Sequence, residues 1–327
     1  MNQIKHIAII QEPPAVLNLQ QGVADAARYI RQAAKEGAQL IVFAETWLTG
    51  YPAWIFGKAA WDNADARYWY GRFLEECPTV DGDELTPIRE AARQTGTVVS
   101  LGFNERARIG AGSIYNSSLL IGPDGSTLNL HRKLTPTHTE RNVWAQGDAS
   151  GLKVVPTDAG RIGSLICWEN WQPMARQALH YQDEQIHIAS WPDMPESHAI
   201  ATRHYAFEGR CFVIAAAQYL TVADIPDELV EAYRSGVGNV TGDVLFNGGS
   251  AVAGPNAEWV GEQAYDKRAI LHFQIDLTEA AQFKHDLDVV GHYSRSDIFT
   301  LSVDRSVREP VILNDTPPSQ ADILSDR

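Results

Sequence analysis

The fold is decided by residues 4–43, which read IKHIAIIQEPPAVLNLQQGVADAARYIRQAAKEGAQLIVF. Apolar, strand-forming runs at 4–10 and 39–43 flank a segment in which Val23, Ala27 and Ile30 recur at helical spacing. Gly37 stands where a C-terminal helix cap is expected. The stretch therefore predicts a strand, a helix over 18–36 and a second strand, an order typical of α/β proteins.

The alternation of strands and helices continues along the chain. Strand runs such as 39–43 and 211–217 are apolar on both faces, which is typical of central strands covered by other layers on both sides. The sequence contains no Gly/Ser/Pro-rich linker and no obvious internal repeat. We therefore predict one α/β domain with a mixed sheet over residues 1–303 and a polar tail over 304–327. Residues 51–73 and 221–246 are interpreted as insertions.

The segment predictions beyond residue 43 are set by periodicity and turn residues. Predicted helices cover 84–94, 174–181 and 196–210, and predicted strands cover 97–103, 114–121, 127–130, 153–155, 161–167, 186–189, 211–217, 249–253 and 269–275.

Composition limits the classes of partner. Among the 327 residues, Asp and Glu outnumber Lys and Arg by 41 to 27, and the resulting charge of −14 repels nucleic acid and anionic membranes. The three cysteines are too few for a disulfide framework, and no apolar run approaches the ~18 residues that a membrane span needs. We expect a cytoplasmic protein with a small-molecule partner.

A search for catalytic motifs leaves the cysteines as candidate nucleophiles. The sequence contains no P-loop, HExxH, CxxC or GxSxG pattern. Cys167 follows an apolar run and precedes Pro173, which is suited to the first turn of a helix, and a helix N-terminus stabilises a thiolate. The alternative is a buried core cysteine, which is the reading we favour for Cys77 and Cys211.

Two charged residues end predicted strands. Glu45 follows an apolar strand, where desolvation would raise its pKa into the range of general acid–base catalysis; the alternative is a cap on a backbone amide. Lys133 is placed to stabilise an oxyanion, or it belongs to a solvated basic cluster. Glu140 either supports Lys133 or pairs with Arg141.

Three stretches of the chain resemble the signatures of the nitrilase (carbon-nitrogen hydrolase) family. They are FAETWLTGYP at 43–52, HRKLTPT at 131–137 and CWEN at 167–170, and each carries one member of that family's triad, here Glu45, Lys133 and Cys167. The second and third stretches look like those of the true nitrilase branch. Thr49 and Ser296 stand where many members have proline, so they weaken assignment to a subgroup only. Supporting matches lie at 140–148, 208–213 and 290–295.

The resemblance implies an α-β-β-α sandwich with mixed parallel and antiparallel sheets, no metal or organic cofactor, and a homo-oligomer that is a dimer or a larger spiral. It also implies that Cys167 attacks a nitrile and that Lys133 and the Trp168 amide stabilise the negative charge. Glu45 would transfer protons, and Glu140 would have a supporting role. The products would be a carboxylic acid and ammonia. An amidase or a cyanide-hydrating enzyme on the same scaffold is the alternative, and an inactive scaffold protein is a further one.

Large aromatic rings accompany every predicted active-site loop. Each is expected to line the substrate pocket, although some of them are expected to pack in the core or at an interface instead. A pocket lined by most of them would be narrow and apolar and would favour aliphatic or arylaliphatic nitriles. The candidates are Tyr51, Trp54, Trp144, Trp168 and Trp191.

Overall fold

The computed structural model describes residues 3–57, 62–108, 110–237 and 242–307. Its first sheet has six strands in the order β13-β1-β2-β3-β4-β5. The central pairs β1-β2 and β2-β3 are parallel and the outer pairs are antiparallel. Their bounds are β1 Ile4–Gln11, β2 Leu40–Phe43, β3 Val98–Arg106, β4 Ile114–Ile121, β5 Thr127–Arg132 and β13 Ala269–Asp276.

The second sheet runs in the order β10-β11-β9-β8-β7-β6, with β12 paired to β11. Strands β7, β8 and β9 are parallel, and the pairs at either side are antiparallel. Both sheets are therefore mixed, as the resemblance implied. Their bounds are β6 Val155–Thr157, β7 Gly160–Ile166, β8 Ile186–Ser190, β9 Phe212–Ala216, β10 Tyr219–Thr221, β11 Val244–Ala253 and β12 Ala264–Tyr265.

The helices cover the outer faces of the two sheets. Helix α1 packs on β2 and α3, while α5 packs on β9, β11 and α4. The Asn18 side chain accepts the Gln21 amide at the start of α1, and the apolar face of that helix is buried. The helices are α1 Leu19–Lys35, α2 Ala64–Glu75, α3 Thr86–Thr95, α4 Pro173–His180, α5 Glu196–Gly209, α6 Val230–Gly236 and α7 Leu277–Phe283.

The two sheets pack against each other through one apolar core. Ile9 and Val42 from the first sheet belong to the same buried cluster as Ile188 and Ile214 from the second. Each such side chain stabilises the fold by roughly 1.5–3 kcal/mol through removal of apolar surface from water. The predicted α-β-β-α sandwich is confirmed.

Two segments interpreted as insertions contain regular structure. Residues 51–73 include most of α2, and residues 221–246 include α6, although 58–61 and 238–241 lie outside the described residues. Trp54, Phe73 and Tyr233 from these segments share a second buried cluster. The described parts of both segments therefore pack together in that second cluster. The predicted tail lies outside the described residues from 308 onward.

Among the described helices, none combines the length and the apolar character that crossing a bilayer requires.

Candidate active site

The ends of three strands bring the predicted catalytic residues together across both sheets. Glu45 follows β2 and Lys133 follows β5, both in the first sheet, while Cys167 follows β7 in the second. Both charged side chains are fully buried and Cys167 nearly so. Carboxylate oxygens of Glu45 and Glu140 and the Cys167 Sγ all lie within 4.8 Å of one another. The packing of the two sheets therefore creates the site.

The Lys133 ammonium lies between two carboxylates. Its Nζ donates to Glu45 Oε1 at 2.9 Å and to Glu140 Oε2 at 2.8 Å. Asn116 Nδ2 donates to the same Glu45 oxygen at 2.6 Å. The other oxygen, Glu45 Oε2, is buried and has no hydrogen-bond partner within the described part of the chain. That oxygen is the one available to exchange a proton with a reacting group.

Glu140 is held by its own turn and by a tyrosine. Its Oε1 accepts the Tyr51 hydroxyl at 2.6 Å, and its Oε2 accepts the Thr137 amide at 2.5 Å. Arg141, the other partner considered from the sequence, donates instead to the Pro136 carbonyl at 3.1 Å. Glu140 therefore belongs to the buried Lys133 cluster and fixes the position of the ammonium.

Cys167 lies on a tight turn between β7 and a short 3-10 helix, Cys167–Trp171. Its φ of +54° is in the left-handed region, which a side chain with a Cβ rarely adopts. Glu169 in the same turn accepts the amides of Ile166 and Leu134 at 2.8 Å and 2.6 Å. Because Leu134 adjoins Lys133, Glu169 links the turn that carries Cys167 to the loop that follows Lys133.

The sequence-based expectation for the thiol differs from the structure. Helix α4 begins at Pro173, so the 3-10 turn separates Cys167 from the N-terminus of that helix. Burial, followed by the Glu45 charge, raises the pKa of the Cys167 thiol well above its usual value, and this outweighs Lys133 and the Trp168 amide, which lower it. This shift favours the thiol form of Cys167 over the thiolate.

The same burial acts on the neighbouring carboxyl group of Glu45. Loss of water, with the Glu140 charge adding to it, raises the pKa of Glu45 to about 7 despite the opposing Lys133. Burial acts against the Lys133 ammonium, but Cys167, Glu45 and Glu140 around it raise the pKa of Lys133 well above its usual value. The site thus holds a permanent cation beside a carboxyl group that titrates near neutrality.

The five aromatic candidates occupy different surroundings. Trp144 lies with its ring centroid 5.6 Å from Lys133 Nζ, and Tyr51 packs on it while bonding to Glu140. The Trp191 carbonyl accepts the Glu45 amide at 3.4 Å. Trp54 contacts Phe73 in the second core cluster.

Trp168 has a different environment from the other four rings. It is 55% exposed, and it lines a depression of about 560 Å³ together with Pro136 and Met174. Its Nε1 lies 3.3 Å from His198 Nε2. Four of the five rings are thus buried, and one of them, Trp144, lies against the Lys133 ammonium, whereas Trp168 is largely exposed.

The cluster of Glu45, Glu140 and Cys167 is also the group of described side chains with the spacing of a metal site. Lys133 Nζ already contacts both carboxylates, so a metal ion would have to displace the ammonium from between them. The donor set therefore suits a lysine cation better than a metal.

Sequence reasoning missed several residues that hold the triad in place. Asn116 on β4 bonds to Glu45, and the Gln218 side chain donates to the Glu45 carbonyl at 2.5 Å. His131, in the HRKLTPT stretch, contacts Glu169 at 2.9 Å. Only His131 lay within a quoted motif. Asn116 and Gln218 reach the site through strand pairing and sheet packing, which leave no local signal.

An α-β-β-α sandwich that joins a buried cysteine, lysine and glutamate defines the class of the protein. The family model described as "Carbon-nitrogen hydrolase" matches residues 6–285. This chain therefore belongs to the carbon-nitrogen hydrolase family.

Named relatives of this chain point to a narrower group within the family. The chain is 36% identical to a protein named nitrilase from Penicillium rubens, over 95% of this chain and 96% of the relative. It is 34% identical to an arylacetone-specific nitrilase from Alcaligenes faecalis, over 94% and 87% of the two chains. The crystal structure of a carbon-nitrogen hydrolase from Helicobacter pylori G27 superimposes with a TM-score of 0.69 at 20% identity, covering 91% of this chain and 97% of that one. That last likeness concerns the fold alone.

Proposed function

We propose that this protein hydrolyses an organic nitrile to the carboxylic acid and ammonia. The observation that carries the proposal is the buried Lys133 ammonium held between Glu45 and Glu140, whose carboxylate oxygens lie within 4.8 Å of the Cys167 Sγ. The similarity to nitrilases over nearly the whole chain supports it. The proposed catalytic residues are Glu45, Lys133, Cys167 and, in support, Glu140.

The first half of the proposed reaction forms a covalent thioimidate. Ionised Glu45 takes the proton of the Cys167 thiol, and the sulfur attacks the nitrile carbon. One carbon–nitrogen π bond breaks, and the nitrogen takes the proton back from Glu45. We propose that Lys133 and the Trp168 amide stabilise negative charge as it develops in this step; their lowering effect on the pKa of Cys167 supports this.

The second half releases ammonia and then the acid. A water gives one proton to Glu45 as its oxygen bonds to the thioimidate carbon. The nitrogen takes that proton, and a tetrahedral intermediate with one hydroxyl and one amino group forms. Glu45 then moves the hydroxyl proton to the amino group, the carbon–nitrogen bond breaks as the carbonyl forms, ammonia leaves, and a thioester remains. A second water adds in the same way, the carbon–sulfur bond breaks, and the thiol recovers its proton. Glu45 ends each half in the protonation state in which it began.

Cys167→Ala should abolish turnover while the protein stays folded, because the nucleophile is lost and little packing changes. The measurement is ammonia release from a panel of small nitriles, with circular dichroism as the folding control. Wild-type protein trapped with a slow substrate should gain an acyl mass on the Cys167 peptide. Cys77→Ala removes another buried thiol and should keep activity.

The products separate the proposed function from its alternatives. Acid and ammonia as products support nitrile hydrolysis. An amide as the main product would mean that the nitrile nitrogen stays on the product, and the proposed second half would be wrong. Turnover of amides without turnover of nitriles would identify an amidase. A wild-type protein that neither converts a substrate nor becomes acylated would contradict the proposal. That result would favour the alternative of an inactive scaffold protein.

We also propose that the protein is a homo-oligomer, at least a dimer. Exposed apolar side chains on and beside α4 and α5, the helices that follow the nucleophile, support this proposal. They are Met174, Tyr181, Ile200 and Phe207, with exposed fractions of 70%, 77%, 52% and 46%. Such a surface is costly in water unless another protein covers it.

The remaining proposals concern organisation. We propose one catalytic domain over residues 1–303 followed by a polar tail over 304–327, because both sheets share one core and the family match spans 6–285. We propose a cytoplasmic location, which the free and buried state of Cys77, Cys167 and Cys211 supports. Neither a metal nor an organic cofactor has a part in the proposed reaction.

A further inference from the structure

A network of buried polar side chains extends from the turn that carries Cys167, and none of its members belongs to the triad. His187 on β8 is fully buried, and its Nε2 lies 2.8 Å from Asn170 Oδ1. Its Nδ1 lies 2.8 Å from Glu184 Oε1, and Glu184 Oε2 accepts the Tyr205 hydroxyl at 2.7 Å. The proposed reaction uses none of these four side chains.

The hydrogen bonds of the Asn170 amide show which atom donates in its contact with His187. Its NH₂ group donates to the Cys167 carbonyl at 2.9 Å and to the Leu165 carbonyl at 3.3 Å. Because both partners are acceptors, Asn170 Oδ1 must be the atom that faces His187. His187 Nε2 is therefore the donor of that bond.

The His187 ring is held tightly in this orientation. The Tyr205 ring stacks on it with centroids 3.6 Å apart and planes at 20°. Glu184 fills the space left by Gly163, where a Cβ would lie 2.0 Å from Glu184 Oε1. Burying this many polar groups is costly unless all of them are hydrogen-bonded, so the arrangement is rigid once formed.

The rigidity of this network affects the backbone conformation of Cys167. Cys167 has a φ of +54°, a conformation that costs energy and persists only where the surroundings impose it. The bond from Asn170 to the Cys167 carbonyl is one such constraint, and its strength depends on His187 holding the Asn170 amide. Release of the carbonyl would let the turn relax and carry the Sγ away from Lys133 and Glu45.

We propose that His187 is a positioning residue for the nucleophile: through Asn170 it holds the Cys167 turn, and through Glu184 and Tyr205 it is itself held. The inference rests on the proposed function for its kinetic readout. His187 does not touch the reacting atoms, so its removal should lower kcat and leave KM unchanged.

The test compares two substitutions at one position. His187→Met removes the donor at similar volume, and a misplacement of the nucleophile by about 1 Å should lower kcat roughly 100-fold. His187→Gln presents an amide NH₂ to Asn170 and should restore most of that loss. Ile188→Val is the control, because Ile188 adjoins His187 on β8 but belongs to the core between the sheets; it should keep wild-type kcat.

A second readout does not depend on the substrate. Alkylation of Cys167 by iodoacetamide at fixed pH, followed on the Cys167 peptide by mass spectrometry, should change in His187→Met and return toward wild type in His187→Gln. If the wild type turns over no nitrile, the proposed function fails and alkylation still decides the positioning role.

Two outcomes overturn the inference. One is a folded His187→Met protein with wild-type kcat and alkylation rate. The other is an equal loss of activity in His187→Gln and His187→Met, which would mean that the donor is not what matters. If His187→Met does not fold, Asn170→Ala carries the test, because it removes the bond to the Cys167 carbonyl directly; unchanged kcat there would equally overturn it.

Discussion

At the scale of single residues, we expect Glu45 to determine how activity responds to pH. Its carboxyl group must be ionised to accept a proton, and burial raises its pKa to about 7. We therefore expect kcat/KM to rise as the pH increases through about 7. Glu45→Gln keeps the size but cannot accept a proton, so it should lose about 100-fold or more in rate.

The measurement is a pH profile of kcat/KM for both proteins. The rise near neutrality should disappear in Glu45→Gln. Asp81→Asn, the same acid-to-amide change at an acidic residue outside the site, is the matched control and should keep the wild-type profile. A Glu45→Gln protein with normal turnover would make Glu45 a structural residue.

Two tryptophans beside the triad are expected to limit substrate size. Trp144 adjoins Lys133, and Trp191 adjoins the Glu45 backbone, with its buried Nε1 lacking a hydrogen-bond partner within the described ranges. Trp144→Ala or Trp191→Ala should shift kcat/KM toward bulkier nitriles while the reaction persists. Trp69→Ala, in α2, is the control. Unchanged substrate ranking in both variants would assign these rings to the core.

The sequence predicted the proposed catalytic residues better than the residues that hold them. Glu45, Lys133 and Cys167 lie in three short stretches that resemble family signatures, and that resemblance, rather than the pattern at the strand ends alone, singled them out. Asn116 and Gln218 contact Glu45 only because distant strands and loops meet there. A single sequence carries no periodicity that reports such contacts.

At the scale of elements, β3 controls where the Glu45 turn lies. A Cβ on Gly102 would come within 2.1 Å of the Ala44 carbonyl and 2.8 Å of the Thr46 amide, which are both backbone atoms that flank Glu45. Gly102→Ala should therefore displace the turn, lowering both the melting temperature and kcat.

Gly71→Ala is the matched control, because a Cβ there meets no atom within 4 Å. Its helical position in α2 should make that substitution neutral or slightly stabilising. Thermal unfolding and ammonia release measured on both variants check the prediction. Wild-type values for Gly102→Ala would show that β3 tolerates a side chain at this contact.

Elements with simple periodicity were predicted well, and elements inside aromatic stretches were not. Helix α1 shows clear helical spacing, and the predicted 18–36 agrees closely with Leu19–Lys35. Helix α2 lies mostly within 51–73, an aromatic stretch that was interpreted as an insertion and for which no helix was predicted. Asn63, whose side chain accepts the Asp65 and Ala66 amides, was the capping signal that marks its start.

At the scale of the whole molecule, the site depends on the packing of the two sheets. Glu45 and Lys133 belong to one sheet and Cys167 to the other, and Glu169 bonds across them through the Leu134 amide and the His131 ring. Any change that alters the separation of the sheets will change the distance between base and nucleophile. The helices outside the second sheet, α4 and α5, are therefore positioned to affect catalysis from the surface.

Those helices carry the exposed apolar surface that supports oligomerisation, so a charge placed there should separate the subunits. Phe207→Glu on α5 is expected to lower the mass measured by light scattering, because a charge cannot be buried in an apolar contact without a partner. Ile4→Glu is the matched control, since Ile4 is similarly exposed but lies on the first sheet. A monomeric wild type, or the same loss of mass in both variants, would contradict the proposed assembly.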